Sequence, residues 1–174
     1  MKLTICSALF LVAGVALAQA APLEPNEASD TLTIQADSQL SGSCGGSPLP
    51  NPFVGIKFDR LVVKSGGTVE TFTLPPEKVL VVTSFDWSVS GDPGGFANRS
   101  RTALLFRTTG GGEDHGPSAQ STALADSNGR AGGAEVFPTG IVLQNPGIFC
   151  LEMDSHTPGE VIIGVINGFL ARDK

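Results

Sequence analysis

Tyrosine is absent from this chain of 174 residues, and tryptophan occurs once, at Trp87. Sugar-binding sites commonly stack aromatic rings on the sugar, so this scarcity counts against a glycan site. Histidine occurs only at His115 and His156, which leaves few bases for a hydrolytic centre. No G-x-S-x-G elbow is present, and no serine sits in a distinctive context. Basic residues are outnumbered, 11 against 17 acidic, for a formal charge of −6. No basic patch exists, which argues against nucleic acid and anionic membranes as partners. After residue 20 no apolar run is long enough to span a membrane, and no stretch shows a sustained helical period.

What is present begins with a leader. In MKLTICSALFLVAGVALAQA (1–20), Lys2 precedes an apolar run, and Ala18-Gln19-Ala20 matches a small-x-small cleavage site. The leader is read as a signal peptide, removed with Cys6 and Lys2, which makes the mature chain more acidic by one charge. The protein is expected to be exported, secreted or periplasmic. APLEPNEASD (21–30) reads as a mobile acidic tail, and residues 31–174 as a single domain.

Cys44 and Cys150 then remain in an oxidising compartment, where pairing is the default. A free buried thiol and a nucleophile are the alternatives. The nucleophile would need a histidine base close by, and only two histidines exist.

The mature chain alternates short apolar runs with Gly, Pro, Asn and Asp clusters, as an all-β domain does. TLTIQA (31–36), FVGIKFDRLVVK (53–64), VETFTL (69–74), KVLVVTSFDWSVS (78–90), TALLFRTT (102–109), AEVFP (134–138), GIVLQ (140–144), IFCLEM (148–153) and the segment from Glu160 onward read as strands. In 53–64 the apolar parity changes near Arg60, which predicts a β-bulge. In 78–90 the odd positions Val79, Val81, Phe85, Trp87 and Val89 define one dry face, with later even positions polar. The Gly/Ser-rich stretch 110–133 is too long for an ordinary connection unless 118–125 forms a strand, and 108–133 is expected to be the least ordered part of the domain. A jelly-roll sandwich is the first choice of fold. An immunoglobulin-like sandwich, for which the order Cys44…Trp87…Cys150 speaks, is second.

Three segments, LPPEKVLVVTSFDWS, TGIVLQNPGIFCLEM and VIIGVINGFLARDK, together resemble small exported bacterial jelly-roll domains of unassigned function. The ending NGFLA is faintly similar to the last strand of complement-type and tumour-necrosis-factor-like heads. That resemblance implies a jelly roll and a trimer. Those heads carry several aromatic residues, tyrosine included, which this chain lacks.

No catalytic residue is assigned. Asp92, Arg99, Arg101, Asp114 and His115 are the candidate ligand-binding residues. Arg99, Arg101 and Arg107 cluster locally and suit a carboxylate or sulfate, with surface ion pairs as the plainer reading. Glu113, Asp114 and His115 share one loop and equally suit a solvated loop tip. Asp126 and Asn128 begin like a calcium loop, but Glu135 comes too early to close it. Calcium is thus the one cofactor held as an alternative to none. Asp154, His156 and Glu160 flank a turn and suggest a triad only weakly, and Asn98-Arg99-Ser100 matches a glycosylation sequon.

The resulting expectation is an exported, non-enzymatic interaction or structural module. A glycan- or calcium-binding module is second and a hydrolase third. From Val161 both parities of the last strand are apolar, which one wet face does not allow. Either a segment of the chain covers the second face, or another copy does. A homo-oligomer, a trimer before a dimer, is expected.

Overall fold

The computed structural model describes residues 31–44, 54–63, 68–90, 96–108, 118–153 and 160–173. The leader, the acidic tail, Asp92, Glu113, Asp114, His115, Asp154 and His156 lie outside them. Ten strands follow in order: β1 Leu32–Asp37, β2 Val54–Lys57, β3 Arg60–Val63, β4 Thr68–Thr71, β5 Lys78–Val89, β6 Ser100–Thr108, β7 Ala119–Leu124, β8 Ala131–Gln144, β9 Ile148–Met153 and β10 Ile162–Arg172. Among the described residues there is no helix, and so none long and apolar enough to cross a membrane.

Two antiparallel sheets face each other. One has the order β4-β3-β1-β10-β5-β8, the other β2-β9-β6-β7. With the β3–β4 hairpin set aside, the other eight strands, renumbered in chain order, run 1-8-3-6 and 2-7-4-5. That is the double Greek key of a jelly roll. The immunoglobulin-like alternative does not hold, because its disulfide joins two sheets through the core, whereas here Cys150 and Cys44 meet on the outside of one sheet.

The core lies between the sheets. Ile34, Leu80, Val82, Phe85, Trp87, Ile162 and Ile166 enter it from the six-stranded sheet, and Ile56, Ala103, Leu105, Phe149, Leu151 and Met153 from the other. Each large side chain buried there contributes about 1.5–3 kcal/mol. At Gly164 on β10 the core packs directly against the backbone. A Cβ there would lie 2.8 Å from Leu151 Cδ2 and 2.9 Å from Phe58 Cζ, so a larger residue would push the layers apart.

Three local readings change. The parity switch in 53–64 is a change of sheet and not a bulge. The chain leaves the four-stranded sheet after Lys57, buries Phe58 between the layers and enters the six-stranded sheet at Arg60.

The dry face of 78–90 does contain a bulge. Asn167 pairs with Ser84 and Gly168 with Val82, so Thr83 has no partner and parity flips there. Leu80 and Val82 therefore face the core with Phe85 and Trp87, while Val79 and Val81 lie on the outer face with Ala171 and Phe169.

Residues 134–138 and 140–144 belong to one strand, β8, that detours: Ser84 pairs with Val136 but Val82 with Ile141. Gly140 turns the detour back with φ of +71°, a conformation glycine adopts without strain. Much of the supposedly poorly ordered stretch is also structured. Residues 119–124 are β7, and Ala131 already starts β8.

Candidate functional site

Arg101 sits at an odd position of β6, on the same face as Ala103 and Leu105. Its side chain therefore enters the sandwich instead of solvent. It is 0% exposed and meets Glu160, just before β10, with Nη1 to Oε1 at 3.0 Å and Nη2 to Oε2 at 3.4 Å. The Phe96 ring lies 4.1 Å from the guanidinium carbon and closes the site from one side. A planar, always-charged fork suits this bidentate burial, which lysine would not reproduce. Glu160 was read as flanking a turn and as a weak triad candidate, not as the partner of Arg101. The available signal was an arginine on the dry face of a strand, which demands a buried carboxylate.

The three arginines are not brought together. Arg99 is exposed, Arg101 is buried, and Arg107 lies near the far end of β6, donating from Nη1 to the Val142 carbonyl at 3.2 Å. The ion pair expected on the surface is an internal clamp at one pole of the fold.

Asp126 and Asn128 form the β7–β8 turn. Asp126 Oδ1 accepts the backbone N–H groups of Asn128 at 2.8 Å and Arg130 at 2.9 Å, and Gly129 follows with φ of 75°. This is an Asx-type turn, in which the carboxylate shapes the chain. Among the described residues no group of three His, Cys, Asp or Glu is arranged to hold a metal ion.

Cys44 and Cys150 are bonded, across a sequence separation of 106. Gly42 and Cys44 hydrogen-bond to β2, and Ser43 bridges Ile56, which lays the arm along the β2 edge of the four-stranded sheet. Gly55 makes room for it, since a Cβ there would lie 3.2 Å from Cys44 Cβ. The pair packs with Leu104, Phe106 and Ile148. Replacing both cysteines by serine is expected to cost about 2–5 kcal/mol, read by urea unfolding. Thiol titration of unfolded, unreduced protein should find almost no free thiol, and two free thiols would contradict the bond.

The outer face of the six-stranded sheet is organised in rows. Thr33, Asn167 and Ser84 lie side by side on β1, β10 and β5. Thr33 Oγ1 donates to Asn167 Oδ1 at 2.9 Å, and Asn167 Nδ2 donates to Ser84 Oγ at 3.0 Å. Toward one pole this polar row gives way to Phe169, Val81 and Val142 in register, followed by Ala171, Val79 and Gln144. Toward the other pole β10 presents Val165 and Ile163, both half-buried. Val142 and Val136 are exposed on the edge strand β8, and Leu124 is exposed at the end of β7.

These features define a class: a disulfide-stapled jelly roll whose six-stranded sheet carries a small, largely buried apolar cluster on its outer side. No family model matches the chain, and no curated protein matches it. Among solved structures, a crystal structure of murine APRIL is similar, with 9% identity and a TM-score of 0.44, over 79% of this chain and 98% of that one.

Proposed function

We propose that the chain is an exported, non-enzymatic interaction module whose domain self-associates through the outer face of its six-stranded sheet. The observation that carries this reading is an apolar cluster on a face that an antiparallel sheet ordinarily leaves polar: Val79, Val81 and Ala171 are buried in it, Phe169 is half-buried and Val142 is exposed beside it. Leu124 and Val136 add exposed apolar side chains along one edge. An edge patch docking on a different, facial patch would make a head-to-tail contact, which forms a ring where the rotation closes and an open filament where it does not, but not a two-fold dimer. This supports a trimer before a dimer. The basic-then-apolar leader and the disulfide support export.

Light scattering on the domain beginning at Ala21 should report a multimer at micromolar concentration. A monomer there would reject the interface and assign the patch to cover by the chain itself. Leu124→Glu should weaken assembly without changing the unfolding midpoint, because its side chain is already in solvent. Unchanged assembly would remove the edge from the contact.

A further inference from the structure

The outer face of the six-stranded sheet carries few charges. On its three central strands, β1, β10 and β5, the register points only two charged side chains outward, Asp37 and Asp86. Asp37 is buried and engaged locally. Its carboxylate accepts the Gln39 backbone N–H at 2.8 Å and Gln35 Nε2 at 3.4 Å. Asp86 is half-buried on β5, in register with Val165 of β10 on one side and Ala134 of β8 on the other. Among the described residues no cation or hydrogen-bond donor engages its carboxylate.

Water solvates this carboxylate while the face is bare. Any occupant of the face removes that water, and a carboxylate covered without a partner is strongly unfavourable. The occupant therefore has to bring a cation.

The chain exposes one at the edge where Leu124 and Val136 stand. These are the two most exposed large apolar side chains among the described residues, at 71% and 73%, on β7 and β8. Arg130 lies in the turn that joins those strands, directly before β8, and is exposed. Asp126 Oδ1 accepts its backbone N–H at 2.9 Å, so the turn fixes where the side chain starts, and no described residue engages the guanidinium. Arg130 and Asp86 lie toward the same pole, since Ala131 pairs with Val89 and Ala134 with Asp86. Arg99 is also exposed but precedes β6, one strand in from the edge, and Arg107 already donates to the Val142 carbonyl.

We infer that Asp86 is the recognition residue of the self-associating face and receives the Arg130 guanidinium of the next copy of the chain. This rests on the self-association proposed above and names what decides its geometry. Cation and anion stand on different surfaces of each copy, so the pair favours a head-to-tail contact. A face-to-face contact would cover each Asp86 with a surface whose cation, Arg60, is already held by Asp59 and the Leu40 carbonyl.

The test is sedimentation of the domain beginning at Ala21, with circular dichroism as the control for folding. Asp86→Arg should raise the concentration at which half the protein is assembled by at least about tenfold, and so should Arg130→Glu. The double variant, Asp86→Arg with Arg130→Glu, should return to within about threefold of the parent, because the pair re-forms with its charges exchanged. Asp86→Arg with Arg99→Glu should not recover. Where Asp86→Arg loses its fold, Asp86→Asn and Arg130→Gln serve instead: each should weaken assembly, and the two together no further than either alone. A monomeric parent overturns the self-association and the pair with it. A multimeric parent overturns the pair alone if neither reversal weakens it, if the double reversal fails to recover, if Arg99→Glu restores assembly, or if the neutral variants add.

Discussion

Ile166→Asp is expected to yield an unfolded chain, whereas Phe169→Asp is expected to give a folded monomer in place of the multimer. The residues are close on one strand but lie on opposite faces of the sheet. Ile166 is 1% exposed, pairs in register with Phe85 and belongs to the core between the layers. A carboxylate there would be buried without a cation, at an effective cost of several kcal/mol. A domain has only about 5–15 kcal/mol of stability to lose. Phe169 is half-buried on the outer face beside Val81, where an aspartate can reach water. Circular dichroism reads the first outcome and light scattering the second. A folded Ile166→Asp or an unfolded Phe169→Asp would reverse the assignment of faces.

The second large effect concerns the internal ion pair. Glu160→Ala should lower stability by about 3–5 kcal/mol, because it leaves the guanidinium of Arg101 inside the sandwich without its carboxylate. Replacing both residues together, Arg101→Met with Glu160→Leu, should come within about 2 kcal/mol of the parent, because two desolvated charges disappear at once. Urea unfolding of the single and double variants measures both. A neutral Glu160→Ala would mean that water reaches the guanidinium, and the pole would then be open instead of clamped. Phe96→Ala should show a smaller loss than Glu160→Ala, since it removes the ring that covers one side of the guanidinium but keeps the carboxylate.

The strands themselves were legible in the pattern. Alternation over 148–153 and the turn at 145–147 appear in the structure as β9 and the turn before it. Faces were legible only where no residue was inserted. At Thr83 a single unpaired residue reverses every side chain before it, and nothing in KVLVVTSF marks the position, because Val occupies both parities. The switch at Arg60 was visible as a parity change, but a bulge and a change of sheet produce the same local pattern. Arg101 is the opposite case. Its position on the dry face of β6 was readable, yet its partner Glu160 is 59 residues away, and nothing local joins the two.

The sequence by itself determined the all-β class, the expectation that Cys44 and Cys150 pair, and the conflict posed by a last strand apolar on both sides. These follow from composition, compartment chemistry and a period of two, which are local properties. Only the tertiary structure decided which side of that strand is core. It also decided that Arg101 is clamped inside while Arg99 and Arg107 lie elsewhere. Each of those depends on which strands lie side by side and how the layers face each other. That is settled by long-range pairing across the sheets, such as Gly164 of β10 against Phe58 and Leu151 of the opposing layer, and no window of neighbouring residues contains it.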